Sequence, residues 1–192
     1  TWQPASAITA GEALPAVPIN QLVSDPADAA TLFAATNGAG LFVSRNRGET
    51  WQVVRDQAGV LDPQSNVLAV AVNPGRRDEW YAAVFQKNRG RVLRTLDGGA
   101  AFREVYVASL DRFGVFDVRY DPGRGAVSIA TGQGGFLETA NQGRTWRVVR
   151  WFADGLVRLL VDPTDAETRF VATSRGGLFR TLDSGESWAD VS

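Results

Sequence analysis

The chain has 192 residues, 44% of them hydrophobic and 21% charged, and 20 basic against 21 acidic side chains leave a formal net charge of -1. That is ordinary material for one packed core, and the bases, all Arg except Lys87, are scattered among the acids, which argues against a nucleic-acid partner. No apolar run approaches the roughly 20 residues that cross a bilayer, and the absence of Cys and His removes disulfides, thiolate nucleophiles, zinc-thiolate sites and the commonest general base.

Taken from the N-terminus, "TWQPAS" (1–6) reads as a lone aromatic-led strand, the outer strand of a blade that would precede it. A unit over about 19–55 follows, in which an apolar run ends in Asp-Pro and a second run, "TLFAAT", leads through a Gly-rich turn to "GLFVS" and then "TWQVVR". The same succession returns over about 67–106, 115–150 and 156–192. Residues 25–51 align without a gap on 162–188, with 14 of 27 positions identical. Four short strands per unit, turn residues between them and no helical periodicity specify an all-β meander. One such sheet cannot bury both faces and must stack on its neighbours, so the expected fold is a β-propeller of four-stranded antiparallel blades. A spare strand at the start and a complete unit at the end point to a segment of a larger propeller, with further blades supplied by missing chain or another subunit. The start at Thr1, in a chain without Met, fits a processed or truncated N-terminus.

Between the third and fourth strands every unit repeats one motif, Ser/Thr-x-Asp/Asn-x-Gly-x-x-Trp/Phe. Its members are Ser44, Asn46, Gly48 and Trp51; Thr95, Asp97, Gly99 and Phe102; Thr139, Asn141, Gly143 and Trp146; Thr181, Asp183, Gly185 and Trp188. The Asx side chain accepts backbone N–H bonds within the turn, the Gly takes a positive φ, and the aromatic ring returns the chain to the core. Asn replaces Asp in two copies, so the role is a cap and not a metal ligand or catalytic acid. Asp25, Asn73, Asp121 and Asp162, each ahead of a Pro, read as turn caps in the same way.

This motif at this spacing resembles the BNR or Asp-box repeat of β-propellers found in sialidases, xyloglucanases, sortilin-type receptors and photosystem II assembly factors. The phrasing around "DP…FVATSRGGLFRT" is most similar to the last three. The resemblance implies a box that is a fold element, a site on the other edge of the blades, and an extracytoplasmic location, periplasmic or secreted. The Arg-Ile-Pro tripeptide of sialidases does not occur, and Tyr81, Tyr106 and Tyr120, the available phenolic nucleophiles, fall inside predicted strands.

Function is therefore expected on the edge formed by the second-to-third-strand turns and the blade-to-blade connections, where the copies differ most. Binding candidates there are Lys87, Arg89, Arg112, Phe113, Trp151, Phe152 and Arg175. Trp151 and Phe152 suit a sugar ring or a protein hot spot, whereas Trp80 reads as core. A glycoside hydrolase would need two carboxylates about 5 to 10 Å apart, for which Asp111 with Asp154 or Asp56 are the candidates. The reading is a binding or assembly module for a protein partner or a carbohydrate, without metal or cofactor; the alternative is part of a xyloglucanase- or sialidase-like hydrolase.

Overall fold

The computed structural model describes residues 16–162 and 164–192, so the expected outer strand at 1–6 lies outside the described residues. The described residues form sixteen strands and no helix. Blade 1 holds β1 (Ile19–Asp25), β2 (Asp28–Thr36), β3 (Leu41–Ser44) and β4 (Gln52–Val53). Blade 2 holds β5 (Asn66–Val72), β6 (Trp80–Gln86), β7 (Arg89–Thr95) and β8 (Phe102–Val107). Blade 3 holds β9 (Val115–Asp121), β10 (Ala126–Thr131), β11 (Gly135–Thr139) and β12 (Arg147–Trp151), and blade 4 holds β13 (Leu156–Val161), β14 (Arg169–Thr173), β15 (Leu178–Thr181) and β16 (Ala189–Asp190). Each blade is a separate sheet whose strands lie in chain order, and the pairings are antiparallel, as in the propeller blade the repeats predict.

By contacts the chain divides into two units, one with Ala83–Val92 and Val105–Ser192 and the other with the remaining residues. In the first-mentioned unit, Phe152, Leu156, Leu159 and Val171 of the blade 4 side pack on Ala130 and Phe136 of blade 3. Trp188 closes this core edge-on, with ring centroids 5.6 Å from Phe136 and 5.3 Å from Phe152. In the other unit Phe33 and Trp80 meet edge-to-face at 4.7 Å. Burying rings of this size between neighbouring sheets is what holds stacked blades together.

A polar device recurs between first strands. Gln21, four residues before Asp25, accepts the backbone N–H of Val70 at 2.7 Å. Asp117, four residues before Asp121, accepts that of Leu159 at 2.9 Å. First strands have one ladder edge unpaired within their own sheet, and these side chains satisfy an N–H there that burial would otherwise leave without a partner. Asp117 is completely buried. Burial pushes its carboxyl above the ordinary Asp range, against the downward pull of Arg119 and of the Leu159 N–H.

Candidate functional site

The box turns close by a shared network. The hydroxyl of Ser44, Thr95, Thr139 or Thr181 donates to the Asx oxygen and accepts the N–H of the box glycine. The same Asx oxygen accepts an N–H four residues on, from Thr50, Ala101, Thr145 or Ser187, each at 2.9 Å. The hydroxyl donor beside Asp97 and Asp183 differs in rank. Hydrogen bonds from Thr95 and then the Ala101 N–H lower the Asp97 pKa, whereas the Ser187 hydroxyl leads in driving Asp183 far below the usual carboxylate range. Where Asn stands, its amide donates instead, Asn46 to Thr50 at 2.9 Å and Asn141 to Thr145 at 2.8 Å. Both chemistries cap the turn, which is why Asp and Asn interchange. Asp25, Asn73, Asp121 and Asp162 likewise each accept an N–H from two residues on, at 2.8 to 3.0 Å. Each of these side chains gives an oxygen to the backbone, and Asp25 and Asp121 give their other oxygen to Arg77 and Arg169. Among the described residues no cluster of three or more acids is placed to hold a metal ion.

The opposite edge is defined by backbone hydrogen bonds between each second-to-third-strand turn and a blade-to-blade connection. Gly40 donates to Ser65 O at 3.1 Å, Gly90 to Phe113 O at 2.8 Å, Gly132 to Gly114 O at 2.9 Å and Ser174 to Gly155 O at 2.8 Å. The chains approach so closely that a Cβ on Gly90 would lie 2.5 Å from Val115 N, and one on Gly134 2.3 Å from Phe152 O. Glycine is required at both places. In the β6–β7 turn Lys87 and Asn88 take φ of 51° and 62°, the left-handed pair of a two-residue hairpin turn whose twist suits flanking strands. Asn88 O then accepts the N–H of Arg112 at 2.8 Å, which pins the connection beneath the turn.

On this fixed edge Lys87, Arg112 and Phe113 are exposed. Phe116, one turn of the pleat further on, is 38% exposed and lays its ring against Gly114 and Gly132. Trp151 ends β12 with 55% of its surface open and its ring beside Gly135. Arg89 is in an ion pair with Asp111. Arg175 lies 3.3 Å from Asp154 and is itself largely exposed.

Two of the residues that the sequence singles out are occupied, one by core packing and the other by capping. Phe152 is a core residue, buried between Phe179 and Trp188, and presents only its face to the Arg150 guanidinium. Asp56 is a cap: its oxygens accept the N–H groups of Ala58, Val60, Leu61 and Phe102 at 2.6 to 3.1 Å. Of the tyrosines, Tyr81 is buried and donates to Glu79 at 2.7 Å, and Tyr106 packs edge-on to Trp146, its hydroxyl pKa raised by burial. Phe116 belongs to the exposed aromatic set although sequence reasoning passes over it; its signal is the alternation Val115 in, Phe116 out, Asp117 in.

Four four-stranded blades, each with its third and fourth strands joined by the same Asx-capped turn, give the chain the blade architecture of a β-propeller, with turns that resemble the BNR or Asp-box repeat. No family model matches the chain. It is 27% identical over 200 residues to an oligoxyloglucan-reducing end-specific xyloglucanase of Emericella nidulans, an alignment covering 90% of the chain and 24% of the relative. Among solved structures, the GH74 xyloglucanase from Xanthomonas campestris superposes with a TM-score of 0.73 at 18% identity, over 97% of the chain and 31% of the enzyme. YCF48 from Cyanidioschyzon merolae gives 0.68 at 16% identity, over 92% and 57% respectively. The chain thus spans about a quarter to a third of the xyloglucanases it matches. Among the described residues no helix is long and apolar enough to cross a membrane.

Proposed function

We infer that the chain is a non-catalytic binding or assembly module that recognises a protein segment through the edge opposite its Asp-boxes. One observation carries this reading: exposed aromatic rings (Phe113, Phe116, Trp151) and exposed cations (Lys87, Arg112) lie in or next to connections held by backbone hydrogen bonds. Rings offer large contact area at low conformational cost, and a pre-formed loop loses little entropy on binding. The mixture of rings and positive charge suits a segment that combines apolar and acidic side chains. An extracytoplasmic location goes with this reading, drawn from the family resemblance.

A hydrolase is the second reading, favoured by the sequence similarity to the Emericella xyloglucanase. The chemistry here lends it little support. Asp111 is exposed in an ion pair with Arg89, Asp154 faces Arg175, and Asp56 caps a loop. A glycosidic general acid needs a drier, less cationic setting to stay protonated.

The deciding experiment compares the chain with Phe113→Ala/Phe116→Ala and Lys87→Glu/Arg112→Glu variants against a peptide library and a glycan array. Peptide binding lost in both double variants, at unchanged melting temperature, supports the reading; binding confined to glycans, or unaffected by either pair, sinks it. Release of reducing ends from xyloglucan by the chain, abolished in Asp111→Asn/Asp154→Asn, would install the hydrolase in its place.

A further inference from the structure

The box edge of blade 3 carries a polar recess of about 310 Å³, whose lining includes Arg124, Ala126, Glu138, Asn141, Thr145 and Arg147. These residues come from the β9–β10 turn, the end of β11, the box turn and the start of β12. Blade 3 lies inside the chain, with a blade before it and a blade after it. Comparison of the four units explains the space. Five residues before Thr36, Val84, Thr131 and Thr173 stand Thr31, Glu79, Ala126 and Thr168. All four are buried, so Ala126 leaves out side-chain atoms that its counterparts supply. The turn before it is also one residue shorter than those of blades 1 and 4. Three residues after the Pro-preceding acid, blades 1 and 4 place Asp28 and Asp165, which accept the Thr31 and Thr168 hydroxyls at 2.9 and 2.7 Å. Blade 3 places Arg124 there, which reverses the charge and removes that cap.

The recess is built around one buried acid. Glu138 is 5% exposed, and its oxygens face Arg169, Arg147 at 3.0 Å and Arg124 at 3.9 Å. Arg169 also reaches Asp121, so three guanidiniums meet two carboxylates in this cluster. Positive charge is in surplus. At 3.9 Å Arg124 is beyond hydrogen-bond reach of Glu138, and among the described residues its guanidinium has no nearer acceptor, so its N–H groups are open to a ligand. Thr145 Oγ1 accepts from the Asn141 amide at 2.8 Å, which leaves the hydroxyl hydrogen free to donate.

We propose that this recess binds a tetrahedral oxyanion, a phosphate or sulfate group, between Arg124 and Arg147, with the Thr145 hydroxyl donating to a further oxygen. One guanidinium fork suffices for a carboxylate, whereas two guanidiniums on different elements suit an anion whose oxygens diverge. Glu138 is a positioning residue: it fixes the Arg147 guanidinium, while Arg169 meets its charge. The recess lies on the box edge, so the proposal stands independently of recognition at the opposite edge.

Calorimetric titration at fixed ionic strength, with inorganic phosphate, inorganic sulfate and glucose 6-phosphate, tests this against acetate and glucose. Affinity for the phosphate or sulfate probes should fall about tenfold or more in Arg124→Gln, and equally in Ala126→Thr, which fills the recess without altering a charge. Arg144→Gln, an exposed cation of the same box turn outside the recess lining, should keep the parent affinity. Amide NMR shifts on titration should centre on Ala126, Thr145 and Arg147, and melting temperatures check that each variant folds. Tighter binding of glucose 6-phosphate than of inorganic phosphate assigns the group to a larger molecule, and equal binding assigns it to the free ion; both are the proposed chemistry. The proposal is overturned if no probe binds, or if acetate binds as tightly as phosphate and sulfate. It is also overturned if Arg124→Gln and Ala126→Thr leave the affinity unchanged, or if Arg144→Gln weakens it as much, which would mean an adventitious ion only.

Discussion

The box turn uses two successive left-handed residues, not the glycine alone. Arg47 and Gly48, Gly98 and Gly99, Gln142 and Gly143, and Ser184 and Gly185 all have φ between 59° and 101°. At the first of each pair a side chain is tolerated at a cost, so Ser184→Gly should be neutral to stabilising by up to about 1 kcal/mol, the relief of left-handed strain offset in part by glycine's unfolded-state entropy. At the second, in Gly99, Gly143 and Gly185, a Cβ would also collide with a neighbouring side chain. A Cβ on Gly185 would lie 2.5 Å from a Val149 methyl at a φ of 101°, and Gly185→Ala should destabilise by about 2 kcal/mol or more in urea unfolding. Asp117 offers a different contrast. Asn retains an oxygen for the Leu159 N–H, whereas Ala leaves that buried donor unsatisfied, a loss of about 1–3 kcal/mol. The raised Asp117 pKa means that ionisation opposes folding as pH rises above 3.8. Asp117→Asn should therefore match or exceed the parent in stability at neutral pH; an Asn variant as unstable as the Ala variant would show that the charge itself is needed, through Arg119.

At the scale of the element, equivalent turns differ in their response to acid. The Asp97 and Asp183 pKa values are depressed in the folded chain, so their stabilisation is present above the unfolded value of 3.8 and is lost as pH falls below it. Asn46 and Asn141 do not titrate, and the turns they cap keep their hydrogen bonds in acid. Asp97→Asn/Asp183→Asn should flatten the acid limb of a stability profile measured between about pH 2 and 6, and an unchanged limb would place the acid-sensitive groups elsewhere. These turns are the most legible elements in the chain because their capping bonds, between the Ser/Thr hydroxyl, the Asx side chain and the N–H groups they accept, are local, from residue i to i+2 or i+4. The loop edge is legible only in outline. Trp151 and Phe152 read as a pair in the sequence, yet the chain turns Trp151 out and buries Phe152 in a core built from residues far along the sequence. Phe116 sits in a strand of mixed character, VFDVRYD, whose two faces the pleat separates, so that Phe116 lies out while Val115 and Asp117 lie in. Asp56 reads as a free loop acid because one of its four backbone partners, Phe102, is 46 residues away.

For the molecule as a whole, the blade stack depends on charges buried between sheets, and the Arg169 cluster tests how far. Arg169 of blade 4 is fully buried against Glu138 and Asp121 of blade 3, with Asp121 at 3.3 Å and Phe136 beneath the guanidinium. Arg147 lies 3.0 Å from the other Glu138 oxygen but is largely exposed. Removing one member of such a cluster strands the others without hydration. Arg169→Ala leaves two buried carboxylates short of a cation and should cost about 3–5 kcal/mol, while Arg147→Ala, screened by solvent, should cost less than about 1 kcal/mol. Replacing the set with uncharged residues of similar volume, Arg169→Met with Glu138→Leu and Asp121→Asn, keeps the turn cap at position 121 and should recover most of the loss. Urea unfolding of the three proteins, followed by tryptophan fluorescence, to which Trp188 at that interface contributes, reads the outcome. A triple variant as unstable as Arg169→Ala would mean that the blade interface relies on the ion pairs for its strength and not only for their geometry.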